Sequence, residues 1–177
     1  MKKLVFVSAM VLMVLSLASV QAQGTNKEQK KDRIPLKKLV GVNVSQLSKD
    51  QFLVDFGQVA NVKWRRSETF DEATFQKKGQ TYTAFYDDGS KLVGTTSYRK
   101  YTDMPAAGQK ELKKEYKGYT IGKVLFFDDN ENNDTDMILY GNQFDDVDSY
   151  FVELSKGADK LVVQVDMEGN VSYFKKL

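Results

Sequence analysis

Two acidic stretches are the places in this sequence where residue type and spacing could do chemistry. Asp87 and Asp88 stand side by side before Gly89, and the run Asp128-Asp129-Asn130-Glu131-Asn132-Asn133-Asp134-Thr135-Asp136 gathers oxygen-bearing side chains. Two carboxylates can share general acid and base work in a hydrolase if a cleft holds them at ~5 to 9.5 Å. Adjacent acids before a glycine, however, read first as turn formers. The chain has no histidine and no cysteine. That excludes Cys–His and Ser–His nucleophile pairs, the usual zinc ligands and the commonest general base near neutral pH. No serine lies in a Gly-x-Ser-x-Gly elbow or opens a helix as Ser-x-x-Lys, and no glycine-rich phosphate loop occurs. The sequence therefore reads as a protein with no catalytic residues and no cofactor.

The longer acidic run has metal-like spacing. Asp128, Asn130 and Asn132 copy the first three oxygen positions of a calcium loop, with Asp134 beside them as a further weak candidate. The copy then fails, because Asn133 stands where the sharp turn wants glycine and Leu139 where a bidentate glutamate is required. A solvated acidic loop that keeps a sheet edge from pairing is the plainer reading. A calcium- or small-ligand-binding sensor is the alternative function that the run suggests.

Aromatic side chains are the other signal, with 9 Tyr, 11 Phe and 1 Trp. If one face of a sheet stays uncovered, Tyr82, Tyr86, Tyr98 and Tyr101 would supply rigid amphipathic contact area for a partner. Trp64 follows the first helix closely and reads as a core ring that pins that helix to the sheet.

These residues need elements to hold them. Ser48-Lys49-Asp50-Gln51 has the form of a capping box, and Phe52, Leu53, Phe56, Val59 and Ala60 recur at helical spacing, which predicts a helix over 48–60. Asp103 and Pro105 announce a second helix that runs to about Tyr116 and stops at Gly118. Strands are predicted at 62–69, 80–86, 92–101, 120–127, 150–154, 161–166 and 171–175 from alternation and β-branched or aromatic content. Asp87-Asp88-Gly89-Ser90 and Met167-Glu168-Gly169-Asn170 read as hairpin turns, each with glycine where positive φ is needed. The fold class is α+β, with antiparallel strands and helices packed on one side of the sheet. Helix then strands, twice over, suggests a tandem pseudo-repeat with halves at about 45–101 and 102–177, the acidic run being an insertion in the second.

Residues 1–22 read as a secretory signal: Lys2 and Lys3, an apolar run from Leu4 to Val20, and small residues before Gln23. The following residues, 23–44, read as a polar leader that is too poor in apolar side chains to order itself. Without Lys2 and Lys3, the 26 basic residues become 24, equal to the 24 acidic ones, so the net charge is zero and no nucleic-acid footprint remains. With no cysteine there is neither a disulfide nor a lipidated anchor, and the expectation is a periplasmic or secreted protein without an integral membrane anchor.

Several phrases stand together: Asn61-Val62-Lys63-Trp64, Ala84-Phe85-Tyr86-Asp87-Asp88-Gly89 with Leu92-Val93-Gly94-Thr95-Thr96, Met104-Pro105, Tyr116-Lys117-Gly118-Tyr119-Thr120-Ile121, and Asp166-Met167-Glu168-Gly169-Asn170-Val171. As a set they resemble the PepSY-like family of exported bacterial proteins, related in fold to the beta-lactamase inhibitor protein, over roughly residues 45–176. Met104, where that family more often has Leu, and the acidic loop after Phe127 are departures from it. The resemblance implies a tandem fold with helices on one side of an antiparallel sheet and the other face free. It also implies a noncatalytic role in binding an envelope or extracellular protein or peptide, inhibition included.

Overall fold

A computed structural model describes residues 36–177. The signal-like segment 1–22 and the leader as far as residue 35 lie outside the described residues. Residues 36–44 form no regular element, yet they are tied to the domain: Leu39 N–H donates to the Glu68 carbonyl (2.8 Å) and Arg66 donates to the Val40 carbonyl (2.7 Å).

Helix α1 spans Gln46–Phe56 and is followed by β1 (Lys63–Arg66), β2 (Asp71–Lys77), β3 (Gln80–Tyr86) and β4 (Leu92–Arg99). A 3-10 turn (Tyr101–Asp103) leads into α2 (Ala106–Glu115) and β5 (Thr120–Asp129). A small hairpin, β6 (Met137–Leu139) and β7 (Asn142–Phe144), precedes β8 (Ser149–Lys156), β9 (Asp159–Asp166) and β10 (Val171–Lys176). Eight strands form one antiparallel sheet in the order β1-β2-β3-β4-β5-β8-β9-β10, and β6–β7 pair separately.

The first helix begins earlier than its apparent capping box. Ser45 is the N-cap, accepting from Leu47 N–H at 3.2 Å, while Ser48 is fully buried and donates to Asp71 Oδ2 at 2.9 Å. The inward stripe is Ser48, Phe52 and Phe56, four residues apart, the first two buried and Phe56 half-buried, and Leu53 faces solvent. The helix stops at Gly57 (φ 75°), so Val59 and Ala60 belong to the following loop. Strand β2 was absent from the predicted set because Asp71 and Glu72 read as polar. Both are buried in cross-strand ion pairs, Arg66–Asp71 at 2.7 Å and Arg65–Glu72 at 2.6 Å. Helix α2 starts directly after Pro105 and ends before Gly118 (φ 88°), as its sequence signals predict. In the β3–β4 turn it is Ser90 (φ 58°), rather than Gly89, that takes the left-handed conformation, whereas Gly169 does so in the β9–β10 turn.

Cross-strand partners share a face, and the line Tyr82–Ser97–Phe126–Tyr150–Val165 crosses five strands on one side. Both helices pack there. Phe52 of α1 packs with Ala73, Phe75, Ala84 and Tyr86. Met104 and Leu112 pack with Val124, Phe126, Val152, Val163 and Val165. Trp64 sits edge-on to Phe52, ring centroids 5.5 Å apart, and pins α1 to the sheet. Each fully buried side chain of this size contributes about 1.5–3 kcal/mol.

Candidate functional site

The opposite sheet face is where a partner surface was expected, and the chain itself covers its middle. The stretch after β5 folds back as the β6–β7 hairpin instead of remaining a solvated loop. Met137 and Phe144 are cross-strand partners, 0% and 4% exposed, and share a cluster with Phe85, Val93, Phe127, Phe151 and Val162. The Phe144 ring meets Phe127 at 5.2 Å and Phe151 at 4.8 Å, both edge-to-face.

Polar residues of the acidic run hold this hairpin down. Asn133 Nδ2 donates to Asp87 Oδ2 and to the Leu92 carbonyl, each at 3.0 Å, and Thr135 Oγ1 donates to Asp87 Oδ2 at 3.3 Å. Asn130 Nδ2 donates to the Leu92 carbonyl at 2.7 Å, and Asp148 Oδ1 accepts from Asp129 N–H at 2.8 Å. At the tip, Tyr140 (φ 50°) and Gly141 (φ 76°) form the turn. Tyr140 Oη donates to Glu153 at 3.2 Å, the Tyr140 carbonyl accepts from Lys175, and Asn142 Nδ2 donates to the Phe174 carbonyl at 2.9 Å. Of the calcium candidates, Asp128, Asn132 and Asp134 are exposed while Asn130 is spent on the backbone. Among the described residues no three or more His, Cys, Asp or Glu side chains gather as a metal site.

Asp87 does what a turn former does. Its Oδ1 accepts from Gly89 and Lys91 N–H, both at 2.9 Å, while the exposed Asp88 pairs with Lys37 at 3.1 Å. The two carboxylates thus serve separate contacts.

The hairpin divides the sheet face into two furrows. One, of about 480 Å³, lies toward β1–β3 and is lined by Arg65, Phe70, Glu72, Thr83, Phe85, Ile138, Leu139 and Tyr140 among others. The other, of about 470 Å³, is lined by residues 141–144, Gln164, Tyr173 and Phe174 and is mostly polar. Tyr98 is 56% exposed on this face, paired across strands with Leu125, with Lys123 5.8 Å above its ring. Burial first, then Glu153 and the nearby Tyr98, push the Tyr140 phenol well above the ordinary tyrosine range.

The four tyrosines proposed from sequence therefore do not make one surface. Tyr86 is fully buried and donates to Asp55 Oδ2 at 3.0 Å, so it belongs to the core. Tyr101 is half-buried and donates to the Gln109 carbonyl at 2.6 Å. Tyr82 stacks on Phe75 (5.8 Å, 23°) on the helix side. Only Tyr98 is exposed on the hairpin side of the sheet, and it lines neither furrow. Ile138, Leu139 and Tyr140 were missed because three-residue strands inside an Asp/Asn-rich stretch carry no readable period. The Tyr140-Gly141-Asn142 turn, after the apolar run Met137-Ile138-Leu139 and shortly before Phe144, was the available signal.

Where β5 leaves the sheet, Asp129 is pushed up to about 6 from 3.8 by burial, then by the charge of Asp146; the Asn130 backbone N–H offsets part of this, and Asp148 and Glu131 add to it. Its Oδ1 is buried without a hydrogen-bond partner among the described residues.

No protein-family model matches the chain, and no curated protein matches it either. Solved structures do. A BLIP-like protein from Bacteroides fragilis is 15% identical with a TM-score of 0.59, over 78% of this chain and 89% of its own. A DUF2874 family protein from Bacteroides uniformis is 13% identical with a TM-score of 0.62, over 76% and 90%. A protein provisionally described as periplasmic, from Bacteroides eggerthii, is 12% identical with a TM-score of 0.62, over 76% and 89%. At these identities the likeness shows the fold alone. The α+β architecture is thus of the BLIP-like kind, with a mostly antiparallel sheet and two helices. Among the described residues no helix is long and apolar enough to cross a membrane.

Proposed function

We propose that this chain is an exported, noncatalytic binding protein, and that it holds a protein or peptide segment in the furrow between β1–β3 and the hairpin. The observation that carries this reading is the latched hairpin, which turns a flat sheet face into a groove. Phe85 lies in its floor, Ile138, Leu139 and Tyr140 form one wall, and the Arg65–Glu72 pair lies opposite. Aromatic and arginine side chains next to a partly desolvated apolar floor are what binding hot spots use. The signal-like start, the absence of histidine and cysteine, and the fold likeness to BLIP-like and periplasmic proteins support export and binding over catalysis. The element order, one helix and four sheet strands followed by one helix and four more, supports a tandem origin with the hairpin as an insertion. The reading also keeps the chain with the PepSY-like proteins that its sequence phrases resemble.

Site-specific photo-crosslinking in the cell envelope tests the furrow. A crosslinker at position 138 or 139 should trap one defined partner, whereas one at the exposed Lys110 of α2 should not. Identical products from both faces, or none from the furrow, would refute the assignment.

A further inference from the structure

A net charge of only +2 conceals a separation of charge along the strands. Strands β5, β8, β9 and β10 are neighbours in the sheet, and their antiparallel register gives this half of the molecule two opposed ends. At one end β5 stops in the acidic run, Asp145, Asp146 and Asp148 precede β8, and Asp166 and Glu168 belong to the β9–β10 turn. At the other end β5 begins, β8 turns into β9 and β10 finishes. Helix α2 delivers its C-terminus to this second end, where a Cβ on Gly118 would lie 3.6 Å from Lys156 Cε.

Six exposed lysines gather there: Lys113, Lys114 and Lys117 at the end of α2 and in the loop after it, Lys156 and Lys160 beside the β8–β9 turn, and Lys176 of β10. Lysine suits the last turn of a helix, whose carbonyl end is partly negative. That accounts for Lys113 and Lys114 but not for Lys156, Lys160 and Lys176. The acids among them are Glu111, which pairs with Lys114 at 3.0 Å, Glu115, and Asp159, which accepts from Tyr119 and lies 3.9 Å from Lys176. The remaining cations rest on rings or stand free. Lys113 Nζ lies 5.6 Å from the centre of the Tyr101 ring and Lys156 Nζ 5.7 Å from that of Tyr119. Among the described residues the side chains of Lys117 and Lys160 make no hydrogen bond or ion pair.

Distance keeps the two ends electrically separate. Strand β5 has 10 residues and so spans about 30 Å, roughly three screening lengths at physiological salt. A partner at the lysine end therefore meets the local excess of positive charge and not the balanced total. The lysines line neither furrow and enclose no small anion. They spread over four neighbouring strand ends, about 14 Å at the usual strand spacing, and onto the helix layer. An extended array of exposed cations without a pocket matches a plane of negative charge. Tyr119 beside Lys156 adds a ring with a polar tip, a side chain suited to headgroup depth. A second copy presenting its acidic end is the competing occupant, but carboxylates there are committed within the chain: Asp166 accepts from Glu168 and Asn170 N–H, and Asp148 from Asp129 N–H. We infer that the lysine end of the molecule docks, peripherally and reversibly, on an anionic phospholipid surface. The inference uses no residue of the furrow and stands apart from the binding role proposed there.

Co-sedimentation of the protein in its exported form with lipid vesicles tests this, using phosphatidylcholine alone and phosphatidylcholine mixed equally with phosphatidylglycerol. The protein should sediment only with the mixed vesicles, and raising salt from about 0.05 to about 0.5 M should release it. Lys117→Glu and Lys160→Glu should each weaken binding about fivefold or more, the factor that one lysine near an anionic bilayer supplies. Lys91→Glu makes the same change of charge in the β3–β4 turn, near the acidic end, and should leave binding unchanged. All three side chains are exposed, and unchanged melting temperatures keep loss of binding distinct from loss of fold. Failure to sediment with the mixed vesicles, or equal binding to both kinds, would overturn the inference. So would binding that survives both lysine-end variants, which would assign attachment to another part of the chain, or equal loss in all three variants, which would reduce the effect to net charge. Self-association at low salt that Lys117→Glu and Lys160→Glu abolish would overturn it in favour of a second copy.

Discussion

Replacing Asp129 by asparagine should stabilise the protein at neutral pH and flatten its pH dependence. Folding moves this carboxylate to a place where Oδ1 lacks a partner and other acids stand nearby, and its pKa is pushed up from 3.8 to about 6. A carboxyl held above its ordinary value keeps its proton more tightly in the folded state than in the unfolded one. Between about pH 4 and 6 the folded state therefore carries the extra proton, and stability falls as pH rises through that window. Taken whole, the gap between 3.8 and about 6 is worth about 3 kcal/mol. Asp129 is only half-buried, and solvent screening reduces the figure to about 1 kcal/mol. Urea denaturation at pH 4 and pH 7.5 measures it. The variant and the parent should match near pH 4, and the variant should be more stable by about 1 kcal/mol at pH 7.5. The difference between the two proteins isolates this group from every other carboxylate. A variant that is no more stable at pH 7.5, or whose stability changes with pH as the parent's does, would refute the reasoning.

Three further outcomes follow from the packing. Arg66→Met leaves Asp71, 1% exposed at its side chain, with only Ser45 N–H and Ser48 Oγ as partners; urea denaturation should show a loss of about 3–5 kcal/mol, and a loss under about 1 kcal/mol would speak against it. Burial opposes the charge on Asp71, but Arg66, Ser45 and Ser48 outweigh it and hold the carboxyl below 3.8. The stability it supplies is thus present above that value and disappears as pH falls through the folded-state pKa. Phe144→Ala empties the centre of the cluster beneath the hairpin, so hydrogen exchange should accelerate in β6 and β7 before it does in β8 and β9; uniform acceleration would contradict a separately detachable hairpin. Gly108→Ala should destabilise despite the better helix propensity of alanine, because a Cβ there would lie 2.5 Å from Val165 Cγ1; a higher melting temperature would show that α2 can move away.

Much of the fold was legible because it rests on local signals. Pro105 and Gly118 bracket α2 correctly, and the aromatic and β-branched content of β3, β4 and β10 marks strands without reference to anything distant. What failed depended on contacts across the chain. Ser48 looks like a cap, but it is claimed by Asp71, which lies 23 residues away. Asp71 and Glu72 look like loop residues until Arg66 and Arg65 stand opposite them on β1. The covered sheet face did leave a trace. Leu161, Val162 and Val163 are consecutive, apolar and buried, which is the pattern of a strand enclosed on both sides rather than one facing water. The tyrosines were harder, because which sheet face α1 covers, and so whether Tyr82 and Tyr86 are core, depends on packing between distant elements that residue type does not reveal.

The latched hairpin also sets the terms on which anything else can reach the centre of the sheet. A tethered occupant competes at an effective concentration in the millimolar range, since its short connections never let it diffuse away. A free ligand aimed at Phe127 and Phe151 must outcompete that occupant as well as find the surface, and its apparent affinity falls in proportion. The same linkage biases the protein toward ligands that dock beside the ridge and accept it as part of their seat.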